Sequence, residues 1–135
     1  MTAEFFAAVI DTLLPGDDAL PSGTRAGLDP IAYTASHRAL FEAIGAQAGS
    51  SEAFLRADEN TRNMAVRAVE RTAPDAFRAF LTAVLSDYYE APAALTALGW
   101  RVDPPQPSGH CVPAIDEPTT QRLDRVRRRG KLWRG

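Results

Sequence analysis

The chain has a single cysteine, Cys111, among its 135 residues, so no disulfide can form within it. Its two histidines, His37 and His110, add too little to one thiol for a zinc site, and no pair has zinc-ligand spacing. No run approaches the ~20 apolar residues that would span a bilayer, and no membrane contact by this chain is expected. No signal peptide is expected at this N-terminus. Met1-Thr2-Ala3-Glu4 carries no positive n-region, and the apolar residues after it are spaced for a helix face. A cytoplasmic location is expected, with a periplasmic or membrane-associated one only if a partner carries the chain. Gly16, Gly23 and Gly27 do not make a phosphate-cradling pattern. Nowhere does the sequence alternate as a half-buried strand would.

What is present reads as globular. Hydrophobic residues make up 45% and charged residues 24%, ordinary proportions for one folded domain. The net charge of −2 conceals an asymmetry. Residues 1–60 hold nine acids against three arginines, whereas residues 119–135 hold Asp124 against six arginines and Lys131. Such polarity points to a partner-binding tail, and the chain as a whole is too acidic for a dedicated nucleic-acid binder.

Helical periodicity recurs along the chain. Phe5, Phe6, Val9, Ile10, Leu13 and Leu14 form one stripe, with Thr2 as the expected cap and Pro15-Gly16 as the stop. A second helix is expected to open at Asp29-Pro30 and to turn Tyr33, His37, Leu40, Phe41 and Ile44 inward. Ser51 is the expected cap of a short turn holding Phe54 and Leu55. A third helix from about Asp58 to Ala73 is expected to bury Met64, Ala65, Ala68, Val69 and Thr72. After Pro74, Phe77, Phe80, Leu81, Val84, Leu85 and Tyr88 follow i, i+3, i+4, i+7, i+8, i+11. That helix should be central, with Phe80 and Leu85 in the core. Ala93 to Leu98 reads as a short helix ended by Gly99. Five of the ten prolines lie in residues 101–118, the composition of an extended arm. Thr119 or Thr120 is then expected to cap a basic helix carrying Leu123 and Val126.

The reactive residues lack partners for catalysis. His37 sits on an apolar helix face with no acid apparent beside it, so it reads as a core or interface histidine. His110 and Cys111 are adjacent, whereas nucleophile–base pairs usually meet through the fold; they read as loop residues at a contact surface. Asp17-Asp18 reads as a solvated turn, without the ligand spacing of a calcium loop. The tail arginines lack an aromatic stacking platform. Trp133 among them has the composition of an interface anchor.

Several segments, taken in order, resemble one family. "VIDTLLPGDDALPSGTRAGL", then "AFLTAVLSDYYEAPAALTALGW", then the Pro/Gly-rich "DPPQPSGH" are similar to the gluconate 2-dehydrogenase subunit 3 family, over roughly residues 4–110. The matching positions are Pro15, Asp17, Tyr88, Tyr89, Pro92, Gly99 and Trp100, as structural or interface residues; the family offers no catalytic residues to carry over. The resemblance implies a small helical subunit of a sugar or polyol dehydrogenase. It also implies a larger partner, a flavoprotein of the glucose–methanol–choline type, that would hold the FAD. Two features depart from the family: no twin-arginine export signal precedes Phe5, and a basic helix follows Thr119.

The expected architecture is therefore all-α: a small orthogonal helical bundle over residues 1–100, with a Pro-rich arm and basic C-terminal helix over residues 101–135 as an extension of the same domain. Five or six helices are expected. The expected function is that of a non-catalytic subunit in a hetero-oligomer, with no cofactor or metal of its own. Tyr89, Trp100, Pro104, Pro105, His110, Arg125, Arg128 and Trp133 are the expected partner contacts. Two alternatives are a nucleic-acid-binding module using the basic tail and a small enzyme using His110 and Cys111.

Overall fold

In a computed structural model of the chain, residues 1–101, 109 and 114–130 are described. Every regular element among them is helical. The order is α1 (Ala3–Leu13), α2 (Thr34–Gln47), α3 (Ser51–Arg56), α4 (Glu59–Thr72), α5 (Pro74–Glu90), α6 (Pro92–Ala97) and α7 (Glu117–Arg128). The all-α expectation holds: among the described residues six helices, α1–α6, fall in residues 1–100, and α7 is the basic C-terminal helix expected after them. The chain divides into a body, Met1–Val102, and a second unit, Asp103–Gly135. Most of the expected arm, including Pro104, Pro105, His110 and Cys111, lies outside the described residues, as does Trp133.

Short polar residues set the helix starts. The hydroxyls of Thr2 and Ser50 and the carboxylate of Asp58 accept the N–H groups of Phe5, Ala53 and Thr61, satisfying donors that a helix start leaves open. The bonds from Thr61 hold the Asp58 carboxyl below its usual range. Pro74 and Pro92 open α5 and α6, where a missing N–H costs nothing.

The body is built on aromatic rings. Phe5, Phe41, Phe54 and Phe80 are fully buried. Phe5 meets Phe54 edge-on at 5.4 Å, and Phe41 meets Phe80 edge-on at 5.2 Å. Each buried ring contributes about 1.5–3 kcal/mol through burial, and each well-oriented aromatic pair about 0.5–1.5 kcal/mol more. Through these rings α1, α2 and α5 share one core, joined by α4 through Ala65, Val66 and Val69.

The structure corrects several expectations. Helix α2 starts at Thr34, not at Asp29-Pro30, because residues 30–33 form turns. It also kinks at His37, whose backbone leaves the helical region (φ −126°, ψ 22°); the imidazole there packs on Phe80 at 5.2 Å. Met64 is 57% exposed rather than inward. The inward face of α4 is turned toward Val66, and Arg62 donates to the carbonyls of Phe54 and Leu55 with its guanidinium over the Phe54 ring. Leu85 is only half-buried, since Phe77, Phe80, Val84 and Tyr88 form the buried line of α5. Asp116, not Thr119 or Thr120, caps α7.

The loop between α1 and α2 is tied down by side chains. Asp11 accepts from the Thr24 backbone at 2.9 Å and from its hydroxyl at 2.7 Å. Asp17 accepts from the N–H groups of Leu20 and Ala19, and those bonds, Leu20 first, lower its pKa. Gly16 takes φ +72°, and a Cβ there would stand 2.4 Å from the Ser22 nitrogen. Asp17-Asp18 is thus a turn, with Asp17 organising it.

Candidate partner interface

Two adjacent tyrosines divide at the end of α5. Tyr88 is 4% exposed and donates its hydroxyl to the Pro21 carbonyl at 2.7 Å. Burial raises its pKa, with smaller contributions from Tyr89 and Asp17. One residue on, a 100° step along the helix carries Tyr89 outward to 54% exposure. Its ring still rests edge-on against Tyr88 at 5.5 Å.

Helix α6 then ends in a cap that fixes the next side chain. Gly99 adopts φ +73°, a left-handed conformation that glycine takes without penalty. Its N–H donates to the Thr96 carbonyl at 3.0 Å, and the Trp100 N–H donates to Leu95 at 2.9 Å. This pair of bonds is the Schellman arrangement. The Trp100 backbone is therefore held, yet the residue is 69% exposed, and Leu98 beside the cap is 42% exposed. A large apolar side chain on a fixed backbone loses little conformational freedom on docking, and tryptophan is enriched among binding hot spots.

A shallow groove lies beside the α5–α6 junction, lined by Leu28, Asp29, Tyr33, Asp87, Glu90 and Pro92 among others. Tyr33 donates to Asp87 at 2.5 Å. Burial first, then that bond and the charges of Asp87 and Asp29, raises the Tyr33 pKa. Sequence reading missed this pairing, which joins residues 54 positions apart and leaves no periodic signal. It missed Leu98 as well, although a leucine immediately before a capping glycine was a usable sign.

Of the expected contacts, Tyr89 and Trp100 are exposed in the body. Arg125 and Arg128 are exposed on α7 and line one side of it with Gln121 and Asp124. Pro104, Pro105, His110 and Trp133 fall outside the described residues. Among the described residues no group of three or more His, Cys, Asp or Glu side chains could hold a metal ion. No helix among them is long and apolar enough to cross a membrane. No family model matches the chain, and no curated protein or solved structure matches it.

Proposed function

We propose that this chain is a non-catalytic small subunit that binds and stabilises a flavin-dependent oxidoreductase of the glucose–methanol–choline type acting on sugars or polyols. The FAD and the chemistry belong to the larger partner. The observation that carries the reading is Trp100, an exposed indole on a backbone locked by the α6 cap. Keeping so large an apolar side chain in water forgoes the roughly 1.5–3 kcal/mol that its burial would contribute. Tyr89, in the last turn of α5, and Leu98, at the end of α6, are exposed apolar residues as well, and the order of residues 79–100 resembles the subunit family named above. The arginines of α7, Arg125 and Arg128 among them, carry charge that would speed encounter with an acidic partner.

The test is affinity isolation of the tagged full-length chain from its native host, beside Trp100→Ala. Recovery of a stoichiometric flavoprotein by the wild type, with at least a tenfold loss in the variant at unchanged thermal stability, is expected. Isolation of the wild type alone, or with nucleic acid, would overturn the proposal.

A further inference from the structure

Helix α7 carries an apolar seam that the accessory role does not use. At 100° per residue, Thr119 and Val126 lie near the centre of one face, with Leu123 beside them. Leu123 is 42% exposed and Val126 53%, and Ile115, just before the cap, is 63% exposed. Arginines border this seam on both sides, Arg122 and Arg129 on one flank and Arg127 on the other, while Glu117 and Asp124 take the opposite side with Arg128 beside them, and Arg125 lies nearer that side than the seam. Asp116 is occupied in capping, accepting from the Thr119 N–H at 3.0 Å. The pair from Arg127 to Asp124, 3.4 Å long, is open to water and holds the arginine only weakly.

We infer that α7 lies along an anionic lipid surface, seating Leu123 and Val126 at the boundary between headgroups and acyl chains while the flanking arginines reach the headgroup phosphates. The distribution of charge favours this occupant. A flat anionic surface needs cations on both flanks of an apolar seam and acids turned away, and arginine stems can lie along the apolar layer while their guanidiniums stay in the headgroups. Nucleic acid would instead meet an aliphatic centre where phosphate contacts are needed. A second α7 would set arginines against arginines. A helix lying on a bilayer need not cross it, so the proposal departs from the sequence expectation of no membrane contact, which rested on the lack of a spanning stretch. It does not depend on the accessory role proposed above.

The test uses the full-length chain and sedimenting vesicles of phosphatidylcholine, alone or with about one-third phosphatidylglycerol. Binding only to the anionic vesicles is expected, falling steeply between about 0.05 M and 0.5 M salt. Replacing Arg122 or Arg127 with glutamine should weaken it roughly five-fold each, and Leu123→Asp with Val126→Asp should abolish it. All of these positions are exposed or nearly so, and an unchanged thermal midpoint will show that the body stays folded. No binding to anionic vesicles would overturn the inference. Equal binding to both vesicle types would also do so, as would an aspartate double variant that binds like the wild type or a preference for duplex DNA over the vesicles.

Discussion

Replacing Phe80 with alanine probes the body at a ring with three aromatic neighbours. Phe80 is fully buried and meets Tyr33 at 5.9 Å, His37 at 5.2 Å and Phe41 at 5.2 Å. These neighbours come from α2 and the turn before it, whereas Phe80 comes from α5, so the ring joins two elements that cannot readily collapse into the space it leaves. Loss of a buried phenylalanine side chain costs about 3–5 kcal/mol, of which the Tyr33 and Phe41 pairings supply about 0.5–1.5 kcal/mol each. Against a total stability of about 5–15 kcal/mol, the thermal midpoint should fall by about 12–30 °C. Leu85→Ala is the matched comparison, because helical periodicity alone ranks the two residues together while the structure leaves Leu85 half-buried. Its loss should be about 1 kcal/mol. Both variants can be followed by circular dichroism on heating and in urea. Equal losses for the two, or a fall of less than about 5 °C for Phe80→Ala, would refute the packing described here.

Tyr88→Phe should cost about 1–2 kcal/mol in urea denaturation, because the Pro21 carbonyl loses its donor; no change would mean that water replaces the hydroxyl freely. Gly16→Ala should destabilise by more than about 1 kcal/mol, given its φ of +72° and the backbone 2.4 Å from the added carbon, and a neutral result would place that turn wrongly. Tyr33 titrates above its ordinary value of 10.0, chiefly through burial. Its neutral form is favoured by folding, so the contribution to stability is complete below that value and is lost as pH rises through the folded pKa. Ultraviolet titration should show two tyrosines, Tyr33 and Tyr88, ionising late, together with alkaline unfolding that Tyr33→Phe reduces.

The sequence patterns that carried furthest were those with a local physical cause. Phe5, Val9 and Ile10 bury as their spacing implies, Thr2 caps α1, Pro74 opens α5, and Gly99 ends α6. The exposed pair Tyr89 and Trp100 was legible for the same reason, since one falls off the buried line of α5 and the other follows a capping glycine. What escaped reading depends on distant partners. Arg62 lies over α3 while α4 turns Val66 inward and leaves Met64 out, and Tyr33 meets Asp87 across the fold. Asp29-Pro30 carried a good local start signal, yet residues 30–33 form turns that take Tyr33 into the core. The cap of α7 slipped because Asp116 precedes a Glu-Pro pair suited to the first helical turn, and the threonines after it were equally plausible caps by type.

The accessory role makes its sharpest claim about the partner. Once a flavoprotein has been recovered with the chain, it can be expressed with and without it, and its soluble yield, flavin content and turnover compared. A soluble, FAD-loaded and active enzyme is expected only when this chain is present, with less of it when Trp100→Ala replaces the wild type. A partner that is equally soluble, equally loaded with flavin and equally active without this chain would contradict the accessory role.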